Sequence, residues 1–205
     1  MSTTEPFEQP GVRGWLHRPD KLTTAMLLSH GAGGDCKAPL MVAVAKAFCE
    51  AGYCVLRWDL PFRQANPRGS PGGSGKRDRE GILVAVRELR KHAPDVPVYL
   101  AGQSYGGRQS SMVAAEDSAI ADGLLLLSYP LHPPGKPAQL RTEHFSSLRI
   151  PGLFVHGTRD PFGSVEELRE AIKLIPGAVR LQIVEGAGHG VPPATAASMP
   201  AWLSA

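Results

Sequence analysis

Gly102-Gln103-Ser104-Tyr105-Gly106 sets a serine between two glycines, and Gly107 follows. A serine hydroxyl becomes a useful nucleophile only when a base removes its proton. The spacing suits a tight, strained turn between a strand and a helix, where a Cβ two residues from the serine would collide with the crossing chain. A base and its orienting acid are then expected downstream, the acid first and the histidine second. Asp160 follows the apolar run Leu153-Phe154-Val155-His156 by way of Gly157-Thr158-Arg159. His189 follows Leu181-Gln182-Ile183-Val184 by way of Glu185-Gly186-Ala187-Gly188, with Gly190 after it. Together these predict acyl-transfer chemistry. Ser104 would attack, His189 would take and return the proton, and Asp160 would fix the histidine tautomer without itself gaining a proton.

An attacked carbonyl also needs donors for the charge that develops on its oxygen. Met26-Leu27-Leu28-Ser29 runs into His30-Gly31-Ala32-Gly33-Gly34-Asp35. Backbone N–H groups of Ala32 (or its neighbour Gly31) and of Tyr105 are the expected oxyanion donors, each worth about 3–4 kcal/mol to a transition state. Taken singly, each motif also fits a plain glycine turn. Their order along the chain, each at the end of an apolar run, is what points to chemistry.

Those ends must be held at one rim. Short apolar runs alternate with longer helical patterns, the mark of βα units around a mostly parallel sheet with helices on both faces. Strands are expected near Thr24–Ser29, Tyr53–Trp58, Val98–Gly102, Gly123–Leu127, Gly152–His156 and Val179–Val184, with Val12–His17 as an earlier edge strand. Their apolar character on both faces suits strands covered on each side. Helices are expected over Pro39–Ala51, Asp78–His92, Tyr105–Ala115, Ser164–Ile175 and Pro193–Leu203. Ser164 and Glu167 form a capping box. Pro61–Gly75, with three prolines and four glycines, reads as a loop. The proline-rich stretch 129–149 reads as an insertion that sits over the site as a short lid. Residues 1–10 read as flexible, and residues 1–205 as one domain.

Other candidates are weaker. Asp122 precedes its strand and so falls at the wrong end of the sheet. His156 ends a strand, where a local hydrogen bond is expected, and Asp59 reads as a loop anchor. Cys36 borders the glycine loop with nothing to lower its pKa. Arg108, one turn beyond Ser104, either binds a substrate carboxylate or pairs with an acid.

Composition limits the alternatives. The formal net charge of +3 is too mild to imply nucleic acid. Between Arg57 and Lys91 nine Lys/Arg face four Asp/Glu. Such a run most often forms solvated surface, and otherwise attracts an anion. No apolar run approaches 18 residues, so no membrane span is expected. Cys36, Cys49 and Cys54 show no metal-ligand spacing, and no metal or other cofactor is expected. Free thiols and a polar N-terminus without an apolar core suit a cytoplasmic location. The expected partner is a small-molecule acyl substrate; oligomeric state is not legible.

With these residues in view, the chain resembles the α/β-hydrolase superfamily. The resemblance is to its dienelactone-hydrolase-like branch, which includes a testis-expressed protein and a subunit of a chromatin-modifying complex. It rests on His30-Gly31-Ala32-Gly33-Gly34-Asp35, on Gly102 to Arg108, on Ser128-Tyr129-Pro130-Leu131-His132-Pro133-Pro134-Gly135 and on Gly157-Thr158-Arg159-Asp160-Pro161-Phe162-Gly163. Gly188-His189-Gly190 completes it, so that it runs from about Gly14 onward. It implies the compact three-layer hydrolase fold with a minimal lid. Dienelactone hydrolases typically carry cysteine at the elbow, where this chain has Ser104. The function expected is hydrolysis of an ester or related acyl bond. A catalytically silent scaffold for protein interaction is the alternative that the chromatin-associated relatives imply.

Overall fold

The computed structural model describes residues 2–204. Eight strands form one sheet: β1 (Thr3–Gln9), β2 (Val12–Arg18), β3 (Thr24–Ser29), β4 (Tyr53–Trp58), β5 (Val98–Gln103), β6 (Gly123–Leu127), β7 (Gly152–Gly157) and β8 (Val179–Val184). Their order is β1-β2-β4-β3-β5-β6-β7-β8. The β1–β2 and β2–β4 pairs are antiparallel and the rest are parallel. The helices are α1 (Pro39–Glu50), α2 (Pro61–Ala65), α3 (Lys76–His92), α4 (Tyr105–Glu116), α5 (Val165–Ile172) and α6 (Met199–Ser204).

Successive strand residues point to opposite faces, and the apolar runs therefore feed two cores. Leu27, Leu56, Leu100, Leu126 and Phe154 join Ile82, Val86 and Leu89 of α3 and Leu168 of α5 on one face. Met26, Leu28, Val55, Ala101, Leu125 and Val155 meet Met41, Val44 and Phe48 of α1 and Met199 of α6 on the other. This is the expected three-layer arrangement. The crossovers leave the carboxyl ends of the parallel strands, and the loops that follow them, at one rim.

Several expectations change. Of the stretch 1–10 expected to be flexible, Met1 lies outside the described residues, and Thr3–Gln9 is a strand that pairs along its whole length with β2 through a Pro10-Gly11 turn, with Gly11 at φ 79°. Phe7 alone of its seven residues is buried, and a strand so polar leaves little pattern to read. The Val12–His17 strand is consequently second from the edge. At the opposite edge β8 is only half-buried, since an edge strand has no neighbour beyond it. Pro61 also starts a short helix within the expected loop, as proline does when it occupies a first helical position.

Stretch 129–149 is anchored in the core. Tyr129, Leu131 and Phe145 are buried in the core, and Tyr129 Oη donates to Arg141 O at 2.7 Å. The C-terminal helix begins with a 3-10 segment, Pro193–Ser198. In the basic run, Arg57 and Arg63 are buried and several others are engaged internally. Arg79 meets Gln109 and Glu116, and Arg90 donates to Ile120 O.

At the β1–β2–β4 corner, Arg57 Nε donates to His17 Nε2 at 2.8 Å, which leaves the ring proton on Nδ1, 3.0 Å from Thr4 Oγ1. Burial, and then the Arg57 charge, pushes the His17 pKa down from 6.5 to about 4. The unfolded chain therefore takes up a proton near pH 6.5 that the folded chain refuses until about 4. This contribution is complete above pH 6.5 and is lost as pH falls toward 4. Urea midpoints should drop between pH 7 and 5, and His17→Gln should flatten that drop; equal slopes in both proteins would contradict a neutral buried His17.

Candidate active site

The turn that carries Ser104 is built from close backbone approaches that only glycine permits. Ser104, between β5 and α4, has φ 48° and ψ −114°, a conformation costing a non-glycine residue of order 1–3 kcal/mol. Its N–H donates to Leu127 O at 2.8 Å, and its carbonyl accepts from Arg108 N at 2.9 Å. The sheet ladder and the helix thus hold it from both sides. A Cβ on Gly106 would strike the carbonyl oxygen of His30 and approach that of Ser29 to 2.7 Å; one on Gly102 would lie 2.5 Å from Gly107 N. The elbow therefore sits directly against the end of β3 and the glycine loop after it.

The structure brings the three residues of the expected triad together. Ser104 Oγ is 2.7 Å from His189 Nε2, and His189 Nδ1 is 2.9 Å from both carboxylate oxygens of Asp160. An ionised Asp160 can only accept, so Nδ1 carries the proton and Nε2 is free to accept from the hydroxyl. The Asp160 side chain is fully buried and also accepts from Phe162 N at 2.9 Å. Arg159 N donates to Ala187 O at 2.8 Å and ties the aspartate loop to the histidine loop. Phe162 stacks on the imidazole, with centroids 3.8 Å apart and planes at 27°. Phe162 and Asp160 hold His189 facing Ser104.

The glycine loop is oriented by two buried side chains. Leu60 N donates to His30 Nε2 at 3.1 Å, so the ring proton is on Nδ1 and donates to Gly31 O at 2.7 Å. Gly34 N donates to the same carbonyl at 3.1 Å. In a trans peptide the N–H lies opposite the C=O, so fixing the Gly31 carbonyl toward His30 turns the Ala32 N–H the other way. Ala32 lines the cleft above Ser104. Arg63 donates to Ala32 O at 2.8 Å, Gly34 O at 2.9 Å and Pro67 O at 2.6 Å. Tyr105 opens α4, where its N–H has no intrahelical acceptor. Its hydroxyl donates to Asp78 Oδ2 at 2.6 Å, which holds the start of α4 against α3.

These residues face a cleft of about 650 Å³ whose walls include Gly31, Ala32, Ser104, Tyr105, Phe162 and His189. Over this fold, the alpha/beta hydrolase domain family profile matches residues 22–199. The chain belongs to the alpha/beta hydrolase family. A relative in this hydrolase family, "Putative protein-lysine deacylase ABHD14B" of Pongo abelii, is 26% identical over 166 residues, covering 80% of this chain and 74% of that protein. The dienelactone hydrolase of Anabaena variabilis superposes with a TM-score of 0.75 at 20% identity, covering 100% of this chain and 94% of that one. XC6422 of Xanthomonas campestris, described as a serine hydrolase without a lid, gives 0.71 at 18% identity over 92% and 85% of the two chains. At such identities the likeness concerns the fold.

The other titratable residues of this hydrolase-family chain lie elsewhere or do other work. Asp122 Oδ2 accepts from Val98 N at 2.7 Å, at the opposite end of the sheet. His156 Nε2 donates to Gly163 O at 2.8 Å. Asp59 accepts from Cys36 N and Arg13; burial would raise its carboxyl, but these donors keep it below the usual range. Burial and the Asp59 charge push the Cys36 thiol up to about 12, as an inert thiol requires. Among the described residues no group of three or more His, Cys, Asp or Glu is placed to hold a metal. Sequence reasoning missed His30 and Arg63 as supports, Phe162 as the ring under His189, and Arg141 in the cleft wall.

Gly106→Ala should cost about 1–3 kcal/mol or more in chemical denaturation, since the new methyl meets backbone atoms that cannot rotate away. Gly33→Ala is the control: nothing lies within 4 Å of its Cβ position, so its stability should change by less than about 0.5 kcal/mol.

Proposed function

We propose that this protein is a serine hydrolase of carboxylic esters or related acyl bonds, working through an acyl-enzyme on Ser104. The observation that carries this reading is the continuous proton path from Ser104 Oγ through His189 to buried Asp160, opening on a cleft. Ser104 Oγ attacks the carbonyl carbon as His189 Nε2 takes the hydroxyl proton. The imidazolium so formed is stabilised by Asp160, which remains a carboxylate. Charge developing on the carbonyl oxygen is received by the N–H groups of Ala32 and Tyr105, with Gly31 as the alternative donor in the loop. His189 then protonates the leaving group. Water, deprotonated by the same imidazole, attacks the acyl carbon and releases the acid and Ser104. No step calls for a metal or organic cofactor.

The family assignment supports a hydrolase, and ABHD14B extends the range of acyl bonds worth testing to lysine amides. The three cysteines are free and buried, which fits a reducing compartment and our placement of the protein in the cytoplasm. No helix among the described residues is long and apolar enough to cross a membrane.

A fluorophosphonate probe should label Ser104 in the wild type and leave Ser104→Ala unlabelled. On p-nitrophenyl esters of increasing acyl length, Ser104→Ala should lose at least roughly 10³-fold in kcat/KM, and Asp160→Asn should lose roughly 10³–10⁴-fold. A folded wild type that neither takes the probe nor hydrolyses any ester, thioester or acyl-lysine peptide would leave the silent-scaffold reading in its place.

A further inference from the structure

Two arginines share the cleft with Ser104, and the proposed chemistry uses neither. Arg108 stands one turn into α4, and Arg141 comes from the segment beyond β6; both line the cleft beside Pro130 and Phe162. No aspartate or glutamate side chain is among the cleft-lining residues. Arg108 makes no ion pair among the described residues, and its Nε is buried without a hydrogen-bond partner. A buried unpaired donor on a charged group is costly, so such atoms normally have a partner. Of the two roles open to Arg108 on sequence grounds, pairing with an acid is absent.

Arg141 is placed just as deliberately. Its N–H donates to Leu131 O at 2.8 Å and its carbonyl accepts from Tyr129 Oη, which fixes the backbone under the side chain. The guanidinium makes a single long hydrogen bond, from Nη1 to Pro130 O at 3.3 Å. Glu143, two residues on, is exposed; its charge favours the Arg141 cation, but by less than the opposing effects. Burial, and then the Arg108 charge, pulls the Arg141 pKa below its usual value. On its other side Arg108 faces His144, whose pKa is pushed to about 4 by burial and then by that same charge. Two like charges in a half-desolvated cleft repel one another while it is empty. One anion between them removes the repulsion and supplies the planar, paired acceptors that guanidinium groups match.

We propose that Arg108 and Arg141 form an anion subsite, and that the substrate is an acyl compound carrying a carboxylate or similar anionic group a few bonds from the scissile carbonyl. This rests on the hydrolase reading of Ser104. The anion belongs either to the acyl half or to the leaving half, and the test separates these.

Hydrolysis of phenyl hydrogen glutarate is compared with that of phenyl glutaramate, its neutral amide isostere. Likewise, 4-acetoxybenzoate is compared with phenyl acetate. The wild type should prefer the charged member of one pair by about tenfold or more in kcat/KM, as one or two charge-assisted contacts provide. The pair that shows the preference identifies the half that carries the anion. Arg108→Gln and Arg141→Gln should each cut that preference at least about fivefold. A wild type indifferent to the charge in both pairs, or variants that lose charged and neutral substrates in equal proportion, would overturn the subsite.

Calorimetric titration of Ser104→Ala with glutarate gives a readout independent of turnover. Binding that disappears in the Ser104→Ala/Arg108→Gln double variant supports the subsite even where no ester is cleaved, in which case only the hydrolase reading fails. Absence of glutarate binding to Ser104→Ala counts against the subsite even where esters are cleaved.

Discussion

The contact between the backbone of Gly106 and the carbonyls at the end of β3 joins the two halves of the site. β5 delivers Ser104, β3 delivers the glycine loop, and the two are adjacent parallel strands. Hydrogen bonding sets the strands side by side, but it does not set how near the loop beyond one comes to the turn beyond the other. That approach is set by atoms a side chain would have to displace: Ser29 O and His30 O against the α-carbon of Gly106. Because the elbow is pressed into this contact, Ser104 holds a left-handed backbone and its hydroxyl faces outward to His189. The strain at one residue is held in place by a sheet, two helices and two cores.

From this contact the support spreads through paired polar groups. His30, clamped by Leu60 N, aims one peptide of the glycine loop, and Arg63 holds two more of its carbonyls. Tyr105 reaches Asp78, whose other oxygen accepts from Phe62 N at 2.9 Å, so α2, α3 and α4 meet at one carboxylate. On the far side, the turn carrying Asp160 and Phe162 presents a carboxylate and a ring to the same imidazole. Rigid surroundings of this kind keep reacting groups at a fixed separation, which is where much of an acyl-transfer catalyst's advantage lies.

Much of this was legible in the amino-acid order, and the reasons differ by element. The central strands were clear because both their faces are apolar, and the convergence of Ser104, Asp160 and His189 was legible because each follows such a run at a glycine-bearing turn. β1 was not, because an outer strand with one buried residue, Phe7, has no alternation to detect. Arg63 and His30 were invisible as supports, since their partners are backbone groups, which every residue carries and which leave no mark in sequence. Phe162 stood within a conspicuous Asp-Pro-Phe-Gly run, yet only the folded turn shows its ring lying on His189. For Arg108 the sequence left two roles open, and the fold favours one, since no carboxylate among the described residues forms an ion pair with it.

The glycine loop has one further consequence. A segment with three glycines in four residues ordinarily samples many conformations and must surrender them on gripping a ligand. Here His30 and Arg63 have already immobilised it during folding, through bonds that make no use of the N–H groups facing the cleft. A ligand in the cleft therefore need not order this loop, and escapes much of the entropic penalty that a free loop of the same composition would impose.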